Sequence, residues 1–214
     1  MMGRLAAILF GICLLIPRIA PALPVPPDMT PAEAAAWSAI TAGKAANFNL
    51  TCGKIDPQRT EPADPCRTIG HDFIETILTK APWSGQIPRA GVHIEGAFIR
   101  GLVDLSNAKI GSQVAFVDCV LPGGVNLDRA TLDPLLVLNG STLGLLRGER
   151  VSITDNLWVR GATVSGPVNF LNAKLGNQID FANSRFADAV TLGGASLGWG
   201  PCALRGAIRA RRPT

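Results

Sequence analysis

The stretch AKIGSQVAFVD CVLPGGVNLDR ATLDPLLVLNG, residues 108–140, repeats one apolar pattern every eleven residues. A small residue stands first in each eleven and an apolar residue third, and a second apolar pair fills the seventh and ninth places. Apolar residues two apart lie on one side of an extended chain, whereas a helix needs spacings of three and four. Each pair therefore predicts a very short strand, and the residues between pairs predict corners.

The register covers residues 86–205, with one shorter piece of ten residues, STLGLLRGER, at 141–150. Two elevens give a four-sided turn of 22 residues, and successive turns stack at about 4.8 Å. The pattern thus predicts an all-β repeat, a parallel β-helix of about five coils. Its inward core is predicted to contain Ile110, Phe116, Leu121, Leu127, Leu132, Leu138, Phe170, Leu175, Phe181 and Phe186. Seven corner residues are of types that tolerate positive φ: Asn107, Asp118, Gly140, Gly161, Asn172, Asn183 and Gly194.

Units such as ATLDP, AKLGN and ASLGW resemble the pentapeptide-repeat family. The resemblance implies a right-handed, quadrilateral β-helix in which the central apolar residue and the small residue two before it point inward. This chain departs from the family because every second unit has six residues, which implies a wider or less square coil. The stretch GVHIEGAFIRGLVDLSNAKI, residues 91–110, is similar to exported or membrane-associated bacterial proteins of this type with unassigned activity. Some of those carry oxidoreductase labels.

The segments that flank the repeat divide the chain into four parts. Residues 1–22 read as a signal peptide, with Arg4 before an apolar core and the small residues of APA before the cleavage point. The alternative is an uncleaved membrane anchor. Residues 23–85 are predicted to form a helical cap with a polar loop, residues 86–205 the β-helix, and residues 206–214 a basic tail.

Two helices are predicted in the cap. The sequence TPAE, residues 30–33, is a capping box with proline at the first helical position, and it opens an alanine-rich helix that we expect to reach Phe48. A second helix is predicted over residues 69–81, with its apolar face on the first coil. At the other end of the chain, ALRGAIRARRPT, residues 203–214, predicts a short capping helix.

The predicted export would place the cysteines in an oxidising compartment, where thiols tend to pair. Cys52 and Cys66 flank the polar loop GKIDPQRTEPADP, which no apolar run holds in place, so we predict a disulfide between them. A metal pair is the alternative, but no cluster of further ligands completes a tetrahedral set. Cys119 occupies an inward place, where cysteine behaves as a small hydrophobic residue. The pattern assigns no role to Cys202.

The formal charge of +4 gives little support for nucleic-acid binding. Cleavage of the first 22 residues would remove two arginines and leave +2, and four further arginines lie in the last ten residues. Without that tail the body is −2, which is not a basic surface. The arginine-rich tail is instead a candidate for contact with anionic lipid or cell-wall polymer.

Outward polar residues supply the candidate binding surface. Two elevens per turn place Asp104, Asn126 and Asn169 in one row on one face. This row is either a structural ladder or a sugar-binding strip. Trp158 falls on the opposite face, exposed by register, and is the candidate binding platform. Hydrolysis of a sugar would need two carboxylates about 5 to 9.5 Å apart, and Asp180 is predicted on the face opposite Asp104.

The sequence therefore predicts an exported, non-catalytic scaffold of the bacterial cell envelope, with no cofactor. Its expected partner is an unknown protein or an envelope polymer, and poorly covered ends would favour end-to-end association of copies. The first alternative is a carbohydrate-binding or carbohydrate-cleaving β-helix protein. The second is a membrane-associated oxidoreductase, although the chain has no glycine-rich dinucleotide loop that opens a helix.

Overall fold

The short apolar pairs of the repeat become strands of two to four residues, and these strands stack into four parallel sheets. The computed structural model describes residues 24–56 and 64–198. Within them the chain forms a parallel β-helix of about five coils, with helices at its N-terminal end. The chain visits the four sheets in order, so we name them the first, second, third and fourth face.

The strands of each face follow in chain order. The first face consists of Ala46–Asn47, Val92–Glu95, Val114–Val117, Leu136–Val137, Leu157–Trp158 and Ile179–Asp180. The second face consists of Thr68–Gly70, Phe98–Arg100, Val120–Leu121, Thr142–Leu143, Thr163–Val164 and Arg185–Phe186. The third face consists of Val103–Asp104, Val125–Asn126, Leu146–Arg147, Val168–Asn169 and Val190–Thr191. The fourth face consists of Lys109–Ile110, Thr131–Leu132, Ser152–Ile153, Lys174–Leu175 and Ser196–Leu197.

The coil that contains the ten-residue piece is one residue shorter than the others, and the missing residue falls at one corner. Leu121 pairs with Leu143, 22 positions on, but Val125 pairs with Leu146, only 21 positions on. The corner between the second and third faces is therefore shorter there. The remaining faces keep their register, so the deletion tightens one corner without turning any inward side chain outward.

The predicted core is confirmed by burial, since each of its ten residues is at most 2% exposed. Most of the small residues in the first place of a unit are also buried, and two of these are serines. The Ser141 hydroxyl accepts a hydrogen bond from the Cys119 backbone N–H at 3.0 Å and donates one to the Phe116 carbonyl at 3.0 Å. Ser184 makes the equivalent bonds to Ala162 and Val159. These inward hydroxyls are tolerated because backbone groups pair with them.

The predicted corner residues all have positive φ, between 50° at Asp118 and 68° at Gly140. Two residues that the sequence did not indicate, Arg129 and Arg150, share this conformation at 59° and 56°. A non-glycine residue in this region is uncommon, and asparagine and aspartate reach it most easily. The stacking of the coils holds the two arginines in this conformation, because each backbone N–H bonds to the next coil.

Glycines in the other corners allow backbone to pass directly over backbone. A Cβ on Gly144 would lie 1.8 Å from the Pro122 carbonyl oxygen, and one on Gly176 would lie 1.8 Å from the Thr154 oxygen. No side chain fits in that space. Stacked corners therefore require glycine at these positions, independently of φ.

The first helix, α1 (Pro31–Thr41), begins with the predicted capping box, in which Thr30 and Glu33 bond to each other's backbone. The prediction that it reaches Phe48 was wrong. Gly43 adopts φ of 70° and its N–H bonds to the Ile40 carbonyl, which is a helix-ending arrangement. The chain then enters the strand Ala46–Asn47 and a single helical turn, α2 (Phe48–Thr51).

The third helix, α3 (His71–Thr79), is shorter than the predicted span of residues 69–81. Its apolar face contains Phe73, Ile74, Ile77 and Leu78, all buried, and it packs against the strand Val103–Asp104 of the first coil. The residues just before it, Thr68–Gly70, form a strand that pairs with Phe98–Arg100. A short 3-10 turn, Ser84–Gln86, leads into the coils.

The cap also contributes half a coil, because two of its strands extend the first and second faces. The β-helix thus begins before residue 86, where the sequence placed its start. Cys52 and Cys66 are joined by a disulfide with a Cα–Cα distance of 6.0 Å. Beside it, buried Arg67 donates to the carbonyl oxygens of Cys52, Gly53 and Gly96, which ties the loop to the first coil.

Several predictions fall on residues outside the described ranges. They are the signal segment of residues 1–22, Cys202, the capping helix of residues 203–214 and the basic tail of residues 206–214. Within the described ranges, no helix has the length and apolar character needed to cross a membrane.

Candidate functional site

The strand register places the predicted outward residues on opposite faces of the β-helix. The third face carries Asp104, Asn126, Arg147, Asn169 and Thr191 in one stacked row. The first face carries His93, Ala115, Val137, Trp158 and Asp180. Asp104 and Asp180 are therefore separated by the full width of the core, as predicted.

The polar ladder of the third face is used to hold corners. Oxygens of Asp104, Asn126 and Asn169 each accept a hydrogen bond from the backbone N–H two residues further on, at 3.0 to 3.2 Å. The Asn126 side chain also donates to the Asp104 carboxylate at 3.0 Å. Short polar side chains commonly stabilise turns in this way. These three candidate residues thus have structural partners, which favours the ladder over the sugar-binding strip.

Trp158 is the centre of the strongest candidate site. It lies on the first face. The register predicted an exposed side chain, but the structure shows that Trp158 is half-buried. The guanidinium carbon of Arg160 is 5.1 Å from the centroid of its ring, which is a cation–π contact. Trp158 and Arg160 are two residues apart on an extended segment, so both side chains lie on the same side of the chain.

Asp180, on the next coil, fixes the position of that arginine. Its Oδ2 accepts a hydrogen bond from Arg160 Nε at 2.7 Å, and its Oδ1 accepts one from the Ala182 backbone N–H at 2.9 Å. The Asp180 side chain is 6% exposed and that of Arg160 is 48% exposed. A buried carboxylate therefore holds a half-exposed cation against an aromatic ring. Within the described chain, only Nε of the guanidinium has a side-chain partner, so its terminal nitrogens can donate to a ligand.

The indole N–H of Trp158 is buried and has no hydrogen-bond partner among the described residues. The same is true of the side-chain oxygen of Asn156, two residues earlier on the chain. The N–H edge of the ring is therefore turned away from solvent and Arg160 covers one ring face, so binding at this site would use the guanidinium and the part of the ring that Arg160 leaves uncovered. This corrects the expectation of a freely exposed tryptophan.

The histidines pair with neighbouring carboxylates. His71 Nδ1 lies 2.9 Å from Glu75 Oε1, and that oxygen also accepts the Asp104 backbone N–H at 2.8 Å. His93 Nε2 lies 3.0 Å from Glu95 Oε1 but makes no hydrogen bond among the described residues. Glu75 thus attaches α3 to the third face. Its contact with His71 belongs to this structural role.

The described cysteines show no nucleophile. Burial raises the pKa of the Cys119 thiol to about 12, so it remains protonated and inaccessible near neutral pH. Cys52, Asp64 and Cys66 bring candidate ligand atoms within 4.8 Å of one another. Both sulfurs of that group belong to the disulfide, so it cannot supply two thiolates to a metal.

Two surface pockets, of about 360 Å³ and 640 Å³, flank Glu33 in the cap. The Glu33 carboxylate accepts the backbone N–H groups of Gly70 and Thr30, at 2.8 and 2.7 Å, so it joins α1 to the strand before α3. The larger pocket has Arg100 at its edge, and the smaller has Trp83.

No protein-family model, curated protein or solved structure matches the chain. The resemblance to the pentapeptide-repeat family therefore stays a prediction. The class of protein defined by the fold is a capped parallel β-helix, and the site that its first face displays is a tryptophan–arginine stack.

Sequence reasoning found Trp158 but missed Arg160. The repeat identifies outward residues that lie between two inward residues, as Trp158 does. Arg160 follows the second inward residue, at the start of a corner, so the repeat did not identify it. Its position two residues after Trp158 was the feature that could have indicated a contact. Asp180 was placed on the correct face by the register, but its contact with Arg160 requires the distance between neighbouring coils.

Proposed function

We propose that this protein is an exported, non-catalytic scaffold of the bacterial cell envelope that binds its partner through the first face. The observation that carries the proposal is the tryptophan–arginine stack, which is held rigidly by Asp180. A rigid aromatic group beside an oriented cation loses little conformational freedom on binding, so such groups contribute strongly to interfaces. A β-helix supplies the extended, regular surface that a long partner needs.

The arrangement of polar groups supports binding more than catalysis. General acid–base chemistry needs titratable groups that converge on one reacting atom. Among the described residues, the candidate carboxylates on the faces bond to corners or to Arg160, and Asp104 and Asp180 are on opposite sides. Fold alone does not determine function, so the proposal depends on these individual roles.

The partner class follows from the chemistry of the stack. The ring face favours apolar or sugar-ring surface, and the terminal guanidinium nitrogens favour phosphate or carboxylate groups. An envelope polymer with sugars and acidic groups satisfies both. This proposal includes the carbohydrate-binding alternative, and it requires export directed by residues 1–22.

Co-sedimentation with isolated envelope fractions tests the proposal. The full chain is mixed with peptidoglycan and with outer-membrane fractions, at low and at high salt. We expect the protein to pellet with at least one fraction under both conditions, because stacking on Trp158 is insensitive to screening. Exposed charge contacts, by contrast, weaken beyond the Debye length of about 8 Å at physiological ionic strength.

A variant in which Arg209, Arg211 and Arg212 become alanine separates the first face from the basic tail. Pelleting that persists in this variant supports binding through the first face. Pelleting that disappears in the variant and in high salt would instead assign binding to the tail and contradict the proposal. Absence of pelleting with any fraction would also contradict it.

A further inference from the structure

The two ends of the β-helix differ in how well they cover the apolar core. At the N-terminal end, α1, α3 and the half coil cover it, and Ile40, Ile74 and Ile77 have no exposed surface. At the C-terminal end the inward residues of the last described coil are only half-buried. They are Val190, Leu192, Ala195 and Leu197.

The position of these residues, not their type, causes the exposure. Their equivalents one coil earlier are Val168, Phe170, Ala173 and Leu175, all at most 2% exposed. Three of the four places hold the same residue type in both coils and the fourth changes from Phe170 to Leu192, so the coil that covers the earlier set accounts for the difference in exposure. The last coil therefore presents an apolar surface of the kind that soluble proteins normally cover.

The same end leaves backbone groups without strand partners. In the described chain the four faces end at Ile179–Asp180, Arg185–Phe186, Val190–Thr191 and Ser196–Leu197, each paired on one side only. Unpaired edges of this kind favour association with another strand or chain. An apolar core rimmed by such edges requires a cover that supplies apolar side chains.

We propose that the chain's own residues 199–214 cover this end. The described chain stops at Gly198, directly after the last strand of the last coil, so the next residues start at the uncovered surface. Sixteen residues span about 24 Å even as a helix. One side of the coil contains five to six residues and spans at most about 18 Å. The segment is therefore long enough to cross the end.

The sequence of the segment fits that role. Its apolar residues recur at spacings of three and four, so they share one side of a helix, whereas its charged residues are all arginine. The apolar set is Ala203, Leu204, Ala207 and Ile208, and the arginines are Arg205, Arg209, Arg211 and Arg212. The apolar set can meet the core while the arginines remain in water.

Charge favours this occupant over a second copy of the chain. Two copies that met at their C-terminal ends would bring two groups of four arginines together, and like charges that face each other at an interface oppose association. Stacking of one copy's C-terminal end on another's N-terminal end is opposed by the helices that already cover the latter.

The test compares the full chain with a variant that carries Leu204→Asp and Ile208→Asp. The matched control carries Arg209→Ala and Arg211→Ala. We expect the full chain and the control to be monomeric by sedimentation. We expect the aspartate variant to show a Tm lower by roughly 5 °C, the shift expected for loss of one or two core contacts in a domain of this size.

Trypsin cleavage with mass spectrometry gives a second readout that does not depend on the variant's folding. We expect the bond after Arg205 to be cut at least tenfold more slowly in the native full chain than after denaturation. Equal rates, together with an unchanged Tm in the aspartate variant, would overturn the proposal. So would a dimeric full chain that the aspartate substitutions convert to monomer, because that result would identify a second copy as the cover.

Discussion

Replacing Gly144 with alanine tests whether neighbouring coils meet as closely as the shortened corner requires. The new Cβ would lie 1.8 Å from the Pro122 carbonyl oxygen. That oxygen belongs to backbone which cannot retreat, because Gly144 N–H bonds to the Leu121 carbonyl at 2.9 Å and fixes the separation of the coils. Overpacking of this kind costs up to about 3 kcal/mol, and we expect the upper end of the range. With a urea m-value of roughly 1 to 3 kcal/mol/M, the unfolding midpoint should fall by about 1 to 3 M.

Two other glycines provide matched controls. A Cβ on Gly111 meets nothing within 4 Å and its φ is not positive, so alanine there should change stability by less than about 1 kcal/mol, in the stabilising direction. Gly161 also has open space but a φ of 64°, so alanine should cost roughly 1 to 2 kcal/mol. In urea, the unfolding midpoint should be highest for Gly111→Ala, lower for Gly161→Ala and lowest for Gly144→Ala. A Gly144→Ala protein as stable as Gly111→Ala would refute the close stacking of the corners.

Three further predictions concern the cysteines and the inward serines. Replacing both Cys52 and Cys66 with serine should lower the free energy of unfolding by about 3 kcal/mol, as measured in urea, because the disulfide closes a loop of about 15 residues. An unchanged free energy would contradict this role. Burial raises the folded pKa of Cys119 to about 12, above the ordinary thiol value of 9.0, so the unfolded thiol ionises first. Stability should therefore fall as pH rises from 9 to 12, by up to about 1.4 kcal/mol per pH unit, and Cys119→Ser should remove this contribution. Reaction of Cys119 itself with a labelling reagent at pH 8 in the native protein, located by mass spectrometry, would show that this thiol is not buried. Ser141→Val should cost about 1 to 3 kcal/mol, since the Cys119 N–H loses its acceptor, whereas Thr142→Val should change stability by no more than about 0.5 kcal/mol.

Most of the architecture could be predicted from the repeat in the sequence. Inward positions, the four faces and the positive-φ corners all follow from apolar pairs two apart and from asparagine, aspartate and glycine at fixed places. The end of α1 could have been predicted, since glycine at position 43 is typical of a helix end. The alanine-rich run beyond it favoured a longer helix, and that prediction was wrong. The half coil formed by Ala46–Asn47 and Thr68–Gly70 was not readable, because those strands are too short to show a period.

The site was less accessible to sequence reasoning. Trp158 could be placed on a face, but its partial burial depends on Arg160 and on side chains from neighbouring coils. The third-face ladder was predicted as a row, whereas its bonds to corner backbone depend on distances of about 3 Å that no pattern specifies. Register gives the face on which a side chain lies, and packing decides how much of it a partner can reach.

Binding by a Trp158→Ala variant tests the central claim most directly. The measurement is the affinity of wild type, Trp158→Ala and Arg185→Ala for the envelope fraction that retains the protein in high salt. Arg185 is exposed on the second face and serves as the control. We predict that Trp158→Ala binds about tenfold more weakly or worse, as expected of a residue that dominates an interface, and that Arg185→Ala binds as wild type does. Equal binding by Trp158→Ala and wild type, with an unchanged unfolding midpoint, would contradict the account.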